Sequence, residues 1–237
     1  MAIMKIDVYA KTMNRTVTLE VIAPVETLKP GDQMACLYLL HGVQGSFINW
    51  STAVHAFRLL GTSNMKREKK LAIVMVSGDN SFYHDAPDRS ANYEQFLAEE
   101  LPLLTRAMLP LSAAREDTYI AGLSMGGYGA LRIGLLYPQV FGFAGGLSSA
   151  LLTQCIENAI DEKVFFRRQE FLETVFGSGL EEIGHSDHDV MELSHRLQAK
   201  IEAHEKYAEQ FEGRMGEVAD ALDYLNKEVM RRRILDH

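Results

Sequence analysis

Little in this chain suits cross-linking, nucleic acid or a bilayer. Two cysteines, Cys36 and Cys155, stand among 237 residues, too few for a disulfide framework. Cys36 lies in an apolar run and reads as a packing residue. Positive charge is in deficit: 24 Lys and Arg face 32 Asp and Glu, a formal net charge of -8. That sign argues against nucleic acid as a partner. No stretch is long and apolar enough to span a membrane, so none is expected as a partner. Met1-Ala-Ile-Met-Lys5-Ile-Asp7 lacks a basic region followed by a long apolar run. The expected location is therefore the cytoplasm. Tryptophan occurs once, at Trp50, and no proline follows Pro138. No internal repeat or low-complexity segment stands out.

Hydrophobic residues make up 47% of the chain and charged residues 24%, an ordinary balance for a globular protein. The length suits a single α/β domain over residues 1–237. Ile3 to Ala10 and Thr16 to Ala23 are β-rich and flank Lys11-Thr-Met-Asn14-Arg15, which predicts an antiparallel hairpin. Pro24 to Asp32 is a polar connection. Ala35 to Leu40 and Leu71 to Val76 are continuous apolar runs, as in parallel strands buried on both faces. Between them, Trp50 to Leu60 reads as a helix and Met65 to Lys70 as a solvated turn. Ser77 to Ala91 is a loop rich in Gly, Asp, Asn and Ser, with Phe82, Tyr83, His84 and Asp85 as its residues of interest. Tyr93, Phe96, Leu97, Leu101, Leu104 and Met108 then fall at helical spacing, and Pro102 predicts a kink. Phe141 to Leu147 is a further strand, ending at Ser148-Ser149.

The chemistry concentrates at Gly122-Leu-Ser124-Met-Gly126, a G-x-S-x-G pattern. Tyr119 to Ala121 before it is β-prone, and the apolar positions after it predict a helix that stops at Pro138. Strand, sharp turn and helix are the setting of a nucleophile elbow. Small residues at 122 and 126 let the turn close, and Ser124 is placed at a helix N-terminus, where backbone N–H groups bind anions. Ser124 is the candidate nucleophile. The strand Leu37-Tyr-Leu-Leu ends in His41-Gly42-Val43. An oxyanion site needs the N–H after the nucleophile, here Met125, and a second from an earlier loop, for which Gly42 or Val43 fits. His41 reads as a residue that shapes this loop. Trp50 and Tyr83 are candidates for the substrate pocket, with plain core packing as their other reading.

Three motifs together resemble the esterase D group of α/β-hydrolases, and most of all the tributyrin esterases. They are Leu-Leu-His41-Gly42, Tyr83-x-Asp85-x-Pro87-Asp88-Arg89-Ser-Ala-Asn92-Tyr93, and Ala121-Gly-Leu-Ser124-Met-Gly-Gly-Tyr-Gly-Ala130-Leu. The likeness covers about residues 1–150. It implies an α/β-hydrolase-like fold: a mostly parallel sheet with an antiparallel N-terminal edge. It also implies a serine carboxylesterase for short-chain acyl esters, without a cofactor or metal. Ser124 would be its nucleophile, and Val43 and Met125 would form its oxyanion hole.

The remainder departs from the family, which continues with two strands that deliver a catalytic Asp and His. No apolar β-rich run follows Leu147, so the last strands are expected to be missing. After Ser124 the histidines are His185, His188, His195, His204 and His237. His188, in Gly184-His-Ser-Asp187-His-Asp189, is the candidate base. The same cluster has metal-ligand residue types but reads better as a cap of the next helix, with Ser186 or Asp187 at its N-terminus. Residues 190–237 read as a divergent helical tail. Ile201, His204, Ala208, Phe211, Met215, Val218, Leu222, Leu225 and Val229 form a heptad seam. Its readings are packing on the domain or homo-oligomer formation. The functional readings are an esterase and a hydrolase-derived binding protein, impaired or truncated, that keeps the elbow without a base.

Overall fold

A computed structural model of the chain describes residues 1–53, 70–86, 89–151, 160–177, 180, 183 and 186–202. The strands are β1 (Ala2–Ala10), β2 (Arg15–Ala23), β3 (Ala35–Leu40), β4 (Leu71–Val76), β5 (Asp85–Ala86), β6 (Ala91–Asn92), β7 (Thr118–Leu123) and β8 (Phe143–Leu147). Six of them form one sheet in the order β1-β2-β4-β3-β7-β8, while β5 and β6 pair separately. β1 and β2 form the expected hairpin, and β2 runs antiparallel to β4. β3 is parallel to both β4 and β7, and β7 is parallel to β8. This is the mostly parallel sheet with an antiparallel N-terminal edge that the sequence predicts. Among the described residues no strand follows β8.

Strand periodicity divides the core. Cys36, Tyr38 and Leu40 of β3 pack on one face with Val74, Ile120, Tyr128 and Ile133. Leu37 and Leu39 pack on the other with Ile73, Tyr119, Ala121 and Trp50. Alternate side chains of a strand point to opposite faces, so a strand covered on both sides is apolar throughout. β1 lies at the margin, and its outward residues Ile3, Lys5, Asp7 and Tyr9 are exposed.

The helices are α1 (Asn49–Ala53), α2 (the consecutive segments Tyr93–Gln95, Phe96–Glu100 and Leu101–Met108), α3 (Met125–Leu136), α4 (Gln169–Phe176) and α5 (Val190–Glu202). The break expected at Pro102 is a wide π turn over Phe96–Glu100, just before it. Proline has no N–H to give the preceding turn, and the wide turn absorbs the fault. Glu100 at its end accepts hydrogen bonds from the N–H groups of Lys11 (2.6 Å) and Thr12 (2.8 Å), which ties α2 to the hairpin turn.

Two boundaries differ from expectation. β8 begins at Phe143, because the Phe141 N–H bonds Tyr137 O in the turn after α3 (3.2 Å). The α5 cap is Asp189, whose carboxylate accepts the Met191 N–H at 2.8 Å. Ser186 instead receives the His188 N–H within the preceding turn (3.2 Å). The predicted helix beyond Ala53, most of the 65–70 charge run, His185 and the seam after Glu202 lie outside the described residues. Among the described residues no helix is long and apolar enough to cross a membrane.

Candidate active site

β3, β4, β7 and β8 are mutually parallel, so their carboxyl ends gather on one edge of the sheet. Loops leaving that edge carry ligand contacts in open α/β sheets. Here they bring together His41–Phe47 after β3, Ser77–His84 after β4, Ser124 after β7 and Ser148–Ala150 after β8.

Ser124 sits between β7 and α3 with φ 56° and ψ -115°, a left-handed conformation that a residue with a Cβ adopts only under constraint. The constraint is visible. Its N–H donates to Leu147 O (2.9 Å), and its carbonyl accepts from Tyr128 N (2.9 Å) and Ala150 N (3.0 Å). A methyl on Gly122 would collide with the Gly126 backbone, and one on Gly126 would collide with Leu40 O and stand 2.6 Å from His41 O. The Ser124 side chain is half-buried. Among the described residues none hydrogen-bonds its hydroxyl. Met125 opens α3, and the first N–H groups of a helix have no intrahelical acceptor.

The loop after β3 is braced against the loop after β4. The His41 ring spans them: Nδ1 bonds Gly42 O at 2.7 Å, and Nε2 accepts the Gly78 N–H at 2.8 Å. Asn80 Oδ1 accepts the Gln44 N–H (2.7 Å), and Ser77 Oγ accepts the Phe47 N–H (3.1 Å). Burial pushes the His41 imidazole below its ordinary value. A methyl on Gly42 would lie 3.5 Å from Ser124 Cβ, which places this loop directly over the serine.

The two proposed pocket aromatics are core residues. Tyr83 is fully buried and its hydroxyl donates to His41 O at 3.0 Å. Its ring fills the space that side chains at Gly78 and Gly129 would need. Trp50 is buried in the cluster on the opposite face of the sheet, under Leu37 and Leu39. Neither side chain has the accessible surface needed to touch a ligand in this arrangement.

His188 stands close to the elbow helix without bonding Ser124. Its ring packs on His84 (centroids 4.6 Å apart) and on Phe176 (5.9 Å), and its Nδ1 is buried without a partner among the described residues. Its carbonyl accepts the Tyr128 hydroxyl at 2.7 Å, and the same hydroxyl bonds His84 Nε2 at 3.0 Å. Burial pushes His188 down and His84 well down, so both rings are held neutral. His195 is exposed on α5.

Sequence reasoning missed the two α3 residues beneath this cluster. Tyr128 and Arg132 follow Ser124 at intervals of four and share its helix face. Arg132 donates to Asp187 O (2.7 Å) and pairs with Glu94 of α2 (2.5 Å). The four-residue stripe was the available signal.

The chain matches the family model described as a putative esterase over residues 10–219. An acetyl esterase of Caldicellulosiruptor saccharolyticus is 35% identical over 207 residues, 83% of this chain and 74% of that protein. A diacylglycerol acyltransferase/mycolyltransferase Ag85A of Mycobacterium tuberculosis is 33% identical over 135 residues, 51% of this chain and 37% of that protein. Among solved structures, the fluorophosphonate-binding serine hydrolase F of Staphylococcus aureus superposes with a TM-score of 0.69 at 24% identity, covering 84% of this chain and 74% of that one. The S-formylglutathione hydrolase of the same organism gives 0.66 at 24%, with the same coverage. These two structures establish the α/β-hydrolase fold.

Proposed function

The chain belongs to the putative esterase family, and on that premise we propose that it hydrolyses short-chain acyl esters with Ser124 as nucleophile. Family membership makes it a carboxylic ester hydrolase. The observation that carries the assignment of Ser124 is its left-handed backbone at a strand–helix turn closed by Gly122 and Gly126. Ser124 Oγ adds to the ester carbonyl carbon. The tetrahedral oxyanion is received by the N–H groups of Met125 and Val43. Collapse breaks the bond to the alcohol oxygen, which leaves with the proton that the serine hydroxyl gave up; the acyl-serine that remains is hydrolysed by water to the carboxylic acid and free Ser124. The acyl preference is supported by the name of the acetyl esterase relative.

The test is a fluorophosphonate probe together with a series of p-nitrophenyl esters. The native protein should be labelled, Ser124→Ala should not, and acetate and butyrate esters should react faster than octanoate. Labelling that persists in Ser124→Ala removes the serine from its role. Faster octanoate hydrolysis removes the short-chain preference. A binding protein with an elbow but no base would show neither labelling nor hydrolysis, and nothing in the comparisons favours it.

A further inference from the structure

We propose that His41 is a positioning residue that fixes the peptide between Gly42 and Val43 so that the Val43 N–H faces the oxyanion formed at Ser124. The proposal rests on the esterase reading and adds the device that orients one of its donors. The chain contains no cis peptide bond among its described residues, so the C=O of Gly42 and the N–H of Val43 point in opposite directions. The carbonyl end is pinned. Gly42 O receives His41 Nδ1 at 2.7 Å and the Gly45 N–H at 3.0 Å. The N–H end of the same peptide is thereby turned away from the ring. A methyl on Gly42 would lie 3.5 Å from Ser124 Cβ and 3.4 Å from Leu123 O, so the pinned peptide begins beside the nucleophile.

The ring itself has no freedom to release the carbonyl. Its Nε2 accepts the Gly78 N–H at 2.8 Å, which requires a lone pair there and assigns the hydrogen to Nδ1. Tyr83 stands edge-on to the ring at 6.0 Å between centroids and bonds the His41 carbonyl. Gly45 closes the other side, where a methyl would lie 2.8 Å from Nδ1. The charged group facing the ring is Asp79, and its carboxylate is held by the Tyr93 hydroxyl and the Arg15 guanidinium. Burial keeps the imidazole neutral, in agreement with the assigned tautomer.

Three substitutions separate positioning from general support. In His41→Asn the amide nitrogen occupies the place of Nδ1 and still donates to Gly42 O. In His41→Gln the amide oxygen reaches the place of Nε2 and serves Gly78 instead. His41→Ala serves neither. If the Val43 donor is misaimed, kcat for p-nitrophenyl acetate should fall about 100-fold or more in His41→Ala, the effect of losing one oxyanion donor. KM should stay within about threefold. His41→Asn should recover at least about tenfold of that loss, and His41→Gln should not, although both variants melt at similar temperatures. Equal recovery by both variants, or a loss confined to KM, overturns the proposal. The affinity for 1,1,1-trifluoro-2-butanone, which forms a tetrahedral adduct, should follow the kcat ranking, and an unchanged affinity in His41→Ala also overturns it. Ser124→Ala is measured alongside. Hydrolysis that survives it refutes the esterase assignment of Ser124. Loss in Ser124→Ala with no effect of His41→Ala refutes only the role of His41.

Discussion

At the scale of single residues, the site is governed by backbone approach rather than by side-chain chemistry. Gly126 is packed under Leu40 O and His41 O, so Gly126→Ala must push the elbow away from β3. Overpacking of this kind costs about 1–3 kcal/mol. We expect a lowered melting temperature and little fluorophosphonate labelling, and a variant that labels at the native rate would show that the turn has slack. His188 yields a different expectation. Its ring is engaged with His84 and Phe176 and forms no hydrogen bond with Ser124. His188→Ala should therefore retain ester hydrolysis to within about tenfold, whereas loss of a true base costs several orders of magnitude. A loss of the larger size would identify His188 as the base after all. The elbow and the His-Gly loop were legible in the sequence because each is specified by a few adjacent residues. The contact of His84 with His188 was not, since 104 positions of chain separate them. Tyr83 and Trp50 were ambiguous for another reason: a large aromatic after a strand suits a pocket wall and a core equally well.

At the scale of elements, α3 fastens one structure to another. Its N-terminus presents Ser124, and its next two turns present Tyr128 and Arg132 to the segment that leads into α5. The Arg132–Glu94 pair has side chains only 6% and 16% exposed. Removing one member of such a pair strands the other charge, at about 3–5 kcal/mol. Arg132→Met should lower the urea midpoint strongly, and adding Glu94→Gln should restore part of it. A double variant no more stable than the single one would mean that the pair is not the source. The α5 cap permits a smaller check. Asp189→Ala removes an acceptor from the first turn, with an expected loss of about 1 kcal/mol. The sequence placed the cap two or three residues early, because Ser186, Asp187 and Asp189 are all good capping types and propensity alone does not rank them.

At the scale of the whole molecule, the fold class was readable because three kinds of pattern agreed: a β-rich hairpin, fully apolar central strands and a glycine-closed turn. Strand order was not, since β4 inserts between β2 and β3 through contacts that no local pattern records. The assembled protein should be acid-sensitive. His41, His84 and His188 are all pushed by burial below the ordinary value of 6.5. As pH falls through that value the unfolded chain takes up protons that the folded chain refuses. Stability is thus full above about pH 6.5 and declines below it, by up to about 1.4 kcal/mol per proton per pH unit. Urea midpoints that stay level from about pH 8 to about pH 5 would contradict this. The buried ring of Tyr83, wedged between Gly78 and Gly129, gives the molecule one more property. Tyr83→Ala would leave a vacancy with the outline of a phenol, walled by glycine backbone and by the His41 carbonyl that the hydroxyl now serves. Cavities of that size accept small aromatic molecules. Added p-cresol should raise the melting temperature of that variant and leave the native protein unmoved, making its fold titratable by a solute.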